Sequence, residues 1–368
     1  MLIKPAVKAS LLMLAGCLAL STLAQAQSKF DKVDAWLADN VSKMGGRVYL
    51  MVYKDGKIVY SDGVGEMTRR QKMVGKFIAK KQGKQANTDD YTASTRQMVA
   101  SCSKWFSAAL VMTFVDEGKL KLTDTVGKFL PVLSNSGKGN ITISQCLAHL
   151  TAVKSPPLKE SLQEMRNINS MDEAMSSIAA MPMEGQPGKV FRYSNTGLQI
   201  AGAVIEKISG KSFETLFAER IAKPLGMKNT DFGKGKVALP AGGASSTPED
   251  YMSFLVMILN KGMYNGKRIL SEQSVAAMQV NQVTAGVKVA YAPVEAGSFG
   301  YGFGEWVMEG ATTGTGSNAV TSPGLFGSFP WVNNEKHYCA FMMTFYLKND
   351  GRHERYVALK QLVDQAVQ

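Results

Sequence analysis

Ser101 and Lys104 stand three residues apart in "VASCSKWFSAAL" (99–110), where an apolar, helix-patterned segment begins. At that spacing on a helix both side chains face the same side of the first turn, so an amine can reach a hydroxyl. A serine hydroxyl is a poor nucleophile until a base takes its proton, and a neutral lysine can be that base. The helix N-terminus adds free backbone N–H groups and a positive dipole end, both suited to an oxyanion. By itself Ser-x-x-Lys is a weak signal, because composition scatters such pairs by chance. The lysine must also be deprotonated. Unperturbed, with a pKa near 10.4, only about one in a few thousand is neutral at pH 7. Burial and a second polar partner are therefore required. "FRYSNTG" offers Tyr193 and Asn195, two apart and on the same side of an extended segment. Tyr193 could share the proton, and Asn195 could hold Lys104 or a substrate amide. Taken alone, a Tyr-x-Asn is a turn with a packed tyrosine.

The elements that must carry these residues follow from pattern. "RVYLMVY", Asp55-Gly56 and "KIVYSDGVG" predict a β-hairpin, so strands come first. "WFSAALVMTFVDEGKL" predicts a helix that stops at Gly118. From about 119 to 249 the chain mixes short helical patterns with turns. Strand-forming, aromatic-rich segments return in "FGYGFGEWVM", "GLFGSFPWVN" and "HYCAFMMTFYL", before a final helix around "ERYVALKQLVDQAV". The expected fold class is α+β: a sheet domain built from both chain ends, residues 27–118 and 250–368, with a mostly helical region, 119–249, inserted between them.

Lys4 and Lys8, the apolar "LLMLAGCLALSTLA" and Ala24-Gln25-Ala26 read as a secretory signal peptide over residues 1–26, which predicts export to the periplasm or outside the cell. A lipoprotein box ending at Cys17 is the rival reading. It is disfavoured because the apolar run continues past Cys17 where a lipoprotein usually has a polar tether. The run is shorter than a membrane span, and no later segment qualifies. Beyond the leader remain Cys102, Cys146 and Cys339, too few for a disulfide framework and expected as buried thiols. His149, His337 and His353 are scattered, and no Cys/His group has zinc-ligand spacing, so no metal is expected. His149 is read as structural.

The formal net charge is +12, and part of it is local. Residues 67–85 hold Arg69, Arg70, Lys72, Lys76, Lys80, Lys81 and Lys84 without one acid. The segment is read as a solvated surface loop, with attraction to anionic envelope polymers or lipid headgroups as the alternative. Nucleic acid is not an expected partner, since no base-reading motif is present. The glycine-rich "TTGTGSN" (312–318) lacks a P-loop lysine and reads as a surface turn.

The ordered blocks "SCSK", "LTDTVGKFLP", "TISQCLAHLTA", "FRYSNTGLQIAGAVIEKISGKSFETLFAERIAKPLGMKNT", "AGGASSTPEDYMSFLVMILNKGMYNGKRIL" and "FGYGFGEWV" closely resemble the serine β-lactamase-like family of class C β-lactamases, D-alanyl-D-alanine carboxypeptidases and related esterases. The resemblance covers nearly the whole chain beyond the leader. It implies a β-lactamase-like fold, an antiparallel sheet flanked by helices with the site between sheet and inserted region. It also implies acyl-enzyme chemistry without a cofactor: Ser101 as nucleophile, Lys104 as its base, Tyr193 in the proton relay and Asn195 orienting substrate and lysine.

The third family motif departs from the pattern. Relatives carry Lys or His, any residue, then Gly, whereas this chain has Ser322-Pro323-Gly324. Without that cation, which helps hold a substrate carboxylate, a neutral ester or a differently held amide is favoured. Gly324 permits close approach, and the N–H of Leu325 matches the second oxyanion donor. Ser322 either donates a hydrogen bond to substrate or only ends a loop. Trp306 and Trp331 read as core or cleft lining, with Trp331 near enough in sequence to Gly324 to line the pocket. The expected activity is hydrolysis of a small-molecule ester, amide or peptide, ester first, D-alanyl peptidase second and β-lactamase third. A weakly active protein that contacts peptidoglycan is the reading from another class.

Overall fold

The computed structural model describes residues 29–81, 86–310 and 317–368. The expected leader, Cys17 and most of the glycine-rich turn fall outside these residues.

A helix over 29–40 (α1) precedes the first strand, which corrects the expectation that strands come first. Its Phe30, Val33 and Leu37 recur at helical spacing and are buried. Next come β1 (Arg47–Lys54) and β2 (Lys57–Gly65). The turn between them places Asp55 and Gly56 at φ of 50° and 82°, the left-handed pair that a tight hairpin requires.

Over its described residues the basic segment is mostly helix, which corrects the loop expected there. Arg69–Lys81 forms a helix (α2). Thr68 Oγ1 accepts from Gln71 N–H while Gln71 Oε1 accepts from Thr68 N–H, a reciprocal cap that starts the helix. The main helices of the site follow: α3 (Ser103–Asp116), α4 (Ile143–Leu147), α5 (Thr196–Ser209) and α6 (Pro248–Leu259). The other strands of the main sheet are β3 (Gly300–Tyr301), β4 (Trp306–Glu309), β5 (Ala319–Thr321), β6 (Phe329–Asn333) and β7 (Tyr338–Thr344), and helix α7 (Arg352–Ala366) follows them.

The seven strands form one antiparallel sheet in the order β2-β1-β7-β6-β5-β4-β3. The hairpin therefore joins the C-terminal strands through β1 and β7, where Val48 faces Thr344. Strand alternation sends Val48, Leu50 and Val52 to one face, where α1 and α7 cover them together with Trp331, Tyr338 and Ala340. Met51, Phe341 and Met343 face the other way into a larger core shared with α3, α5 and α6. Burial of this apolar area is the main force holding the layers together, at roughly 25 cal/mol per Å². The site lies on the larger core's side, and Trp331 is on the opposite one. Buried, with its indole N–H donating to Tyr338 Oη at 2.8 Å, Trp331 is a core residue and does not line the pocket.

Candidate active site

Ser101 sits in a short 3-10 turn, Ala100–Cys102, that runs directly into α3. Ala100 has φ of 48°, an unusual conformation for a residue with a Cβ, and packing around it holds the turn in place. Ser103 Oγ donates to the Ala100 carbonyl at 2.6 Å and accepts from Ala244 N–H at 3.0 Å. Tyr251 Oη donates to the Cys102 carbonyl at 2.9 Å. From the sheet side, Ser322 Oγ donates to the Gly304 carbonyl at 2.9 Å and lies 3.3 Å from the Ser101 carbonyl. Ser322 thus spends its proton on the Gly304 backbone, beside the Ser101 turn. Gly324 is packed so closely against Val99 that a Cβ would come within 2.4 Å of the Val99 carbonyl oxygen.

Lys104 leaves the same turn and is 1 % exposed. Its Nζ donates to the Ala241 carbonyl at 2.7 Å and lies 3.1 Å from Ser101 Oγ. Among the described residues no acid forms an ion pair with it, and burial pulls its pKa from 10.5 to about 7. At neutral pH roughly half of such a group is an uncharged amine with a free lone pair. The three buried thiols are unbridged. Burial pushes the Cys102 thiol well up, so it remains protonated beside the site.

Tyr193 arrives from another part of the chain. Val190–Arg192 pairs in parallel with Lys288–Tyr291, and Tyr193 N–H continues the ladder to the Tyr291 carbonyl at 3.0 Å. Burial holds the Tyr193 hydroxyl well above the ordinary tyrosine range, in the protonated form, and the nearby Ser101 side chain only partly offsets that. The Tyr193 ring stacks on Trp306, centroids 5.2 Å apart, and the Lys104 Nζ lies 4.7 Å from the ring centre. Behind it His149 is buried, with Nε2 3.0 Å from Tyr301 Oη and its ring against Tyr193. Burial, with the Lys104 charge adding to it, drives the His149 pKa far down, so the imidazole is neutral. That fits its structural reading. Asn195 is the N-cap of α5, yet its side chain makes no cap bond. It faces the cavity with Ser101, Lys104 and Tyr193.

That cavity has a volume of about 530 Å³. Pro156, Pro157, Tyr291, Val294 and Trp306 supply apolar wall, and Pro323 and Leu325 line the third-motif side. Ser322 and Gly324 are not part of the lining; they lie behind it. Two cations absent from the sequence reading border the cavity. Arg192 is held in a bidentate pair by Glu184, whereas Lys154 is exposed and has no ion-pair partner among the described residues. Only its place just after "CLAHLTA" could have drawn attention to Lys154.

The model of the family described as Beta-lactamase matches residues 37–363. The chain belongs to the beta-lactamase family. A crystal structure of a "putative beta-lactamase" from Bacteroides dorei is similar at TM-score 0.74 with 28% identity, over 92% of this chain and 98% of that one. EstCE1, described as a hydrolase with promiscuous acyltransferase activity, shares the fold at TM-score 0.71 and 18% identity, over 92% and 99%. A "putative D-alanyl-D-alanine carboxypeptidase" of Escherichia coli is 25% identical over 213 residues, 55% of this chain and 47% of that protein. The antiparallel sheet with flanking helices is thus the beta-lactamase-like fold that the sequence resemblance implied, in a family of serine hydrolases.

Proposed function

We propose that this beta-lactamase family member is an exported serine hydrolase that cleaves an ester through an acyl-Ser101 intermediate. The observation that carries the reading is the 3.1 Å separation of Ser101 Oγ from a buried Lys104 amine whose pKa falls to about 7. The uncharged amine takes the Ser101 proton as Oγ forms its bond to the substrate carbonyl carbon. The backbone N–H groups of Ser101 and Leu325 receive the oxyanion. Collapse breaks the bond to the leaving alcohol, which takes the proton from the Lys104 ammonium by way of Tyr193. Water then attacks the acyl carbon and passes a proton to the Lys104 amine through the Tyr193 hydroxyl; the acyl–Oγ bond breaks, Ser101 Oγ takes that proton back from the ammonium, and the carboxylic acid product leaves. Asn195, its amide uncommitted at the α5 N-terminus, orients the substrate.

Ester substrates come first because Pro323 and Leu325 face the cavity where relatives bring a cation, and because much of the wall is apolar. D-alanyl peptidase action comes second, supported by the unpaired Lys154 at the cavity edge, which offers a charge to a carboxylate. β-Lactamase action comes third, and a weakly active wall-binding role is the remaining alternative. No helix among the described residues is long and apolar enough to cross a membrane.

Labelling with a fluorophosphonate and mapping the adduct by peptide mass tests the reading, together with rates on p-nitrophenyl acetate, a D-alanyl-D-alanine peptide and a chromogenic cephalosporin. An adduct on Ser101, lost in Ser101→Ala, is expected. Folded protein without any Ser101 adduct refutes the assignment, and a strong cephalosporinase reverses the ranking.

A further inference from the structure

The α2 helix has a packed side and an open side. Gln71, Gly75 and Ala79 recur every four residues and are only partly exposed, which marks the face turned to the protein. The rest of the circumference carries Arg69, Arg70, Lys72, Lys76 and Lys80, all exposed. Among these charges stand Met73, Val74 and Phe77, at 67%, 49% and 61% exposure. Met73 and Phe77 are one turn apart, so they form a short apolar ridge beside the basic rows. No acidic residue occurs anywhere in 67–85.

Solvated basic faces do not require large apolar side chains that stay about half exposed or more. A polysaccharide or polyphosphate polyanion would be met by the charges alone. A cationic helix lying along an anionic bilayer uses both features: headgroups meet the Lys and Arg rows while the apolar ridge enters the headgroup–acyl boundary. We propose that α2 docks the protein peripherally on an anionic lipid surface.

The test uses residues 27–368, which contain both cores and the whole site, so that the apolar leader cannot itself insert. Cosedimentation is measured with vesicles of phosphatidylcholine, with or without 30% phosphatidylglycerol, and with soluble polyphosphate as competitor. Binding only to the anionic vesicles, falling with salt, is expected. A variant carrying Arg70→Gln, Lys72→Gln, Lys76→Gln and Lys80→Gln should bind at least about a hundredfold more weakly, given the contribution of each basic residue near such a surface. Met73→Ser with Phe77→Ser, at unchanged charge, should weaken binding about tenfold. Both variants should keep the parent's p-nitrophenyl acetate rate, which shows that they fold. Absence of binding to the anionic vesicles overturns the proposal. So does an apolar-ridge variant that binds as the parent does, which would make α2 a general polyanion site.

Discussion

The Lys104 amine is closer to the Ala241 carbonyl, at 2.7 Å, than to Ser101 Oγ, at 3.1 Å. The carbonyl anchors the nitrogen by an N–H bond, and in the neutral amine the lone pair is left for the serine. This division of labour requires an uncharged nitrogen.

It therefore sets a pH profile. Ester hydrolysis should rise with pH and reach half of its plateau in kcat/KM near pH 7, where Lys104 loses its proton. Stability should follow the same group. Its folded pKa is depressed below 10.5, so the unfolded chain binds more protons between about 7 and 10.5, and stability rises with pH across that window. Lys104→Met removes the cost of burying the charge. The variant should be inactive yet more stable than the parent by a few kcal/mol at pH 7 and below, with the gain fading toward pH 10.5. Urea melts over pH 6 to 10 check this, and a variant less stable than the parent at pH 6 contradicts it.

Ser322 donates its one proton to the Gly304 carbonyl and packs against the Ser101 carbonyl, so it steadies the wall behind the Ser101 turn. Ser322→Ala should cost about 1 kcal/mol of stability and lower kcat several-fold with little change in KM. Steady-state kinetics on an ester read the split. A rise in KM with kcat unchanged would return Ser322 to direct substrate contact.

Lys154 is the unpaired cation at the cavity edge. Lys154→Gln should raise KM about two- to fivefold for a substrate with a free carboxylate, the usual worth of an exposed charge contact, while p-nitrophenyl acetate is unaffected. Equal effects on both substrates would assign Lys154 to the scaffold.

Glu305 is fully buried, and neither carboxyl oxygen has a hydrogen-bond partner among the described residues. Burial raises its pKa well above the ordinary carboxyl value, so the folded protein keeps a proton that the unfolded chain releases above about pH 4.5. The stability this group contributes is present below that pH and is lost as pH rises toward its folded pKa. Glu305→Met should raise Tm by about 2 °C or more at pH 7.5 and by less at pH 4.5. A thermal shift series over this range is decisive, and a Tm gain independent of pH would contradict the assigned proton.

Local chemistry made much of this protein legible from its sequence. Asp55-Gly56 between alternating runs specifies a hairpin because few other dipeptides tolerate two left-handed residues, and both adopt that conformation. The spacing of Ser101 and Lys104 puts both groups on one helical turn, and the ordered family blocks pointed to the fold. The Thr68 and Gln71 pair of the reciprocal cap is also present in the sequence, but a run so dense in basic residues has the composition of a solvated loop, which masks the start of α2.

Tertiary structure decided the rest. Two residues three apart can face each other in any helix; the pKa of Lys104 falls because distant segments pack over it, Tyr193 among them, while Ala241, 137 residues on, supplies its carbonyl. Nearness to Gly324 in the chain suggests Trp331 as a pocket residue, and the first place of the third motif suggests Ser322. In a strand, however, alternation and the sheet's two faces decide which side chains reach a cavity, and those faces are assigned by long-range pairing such as that of β1 with β7. Sequence carries the chemical groups and their local spacing; only packing between distant segments determines which of them lose water and meet.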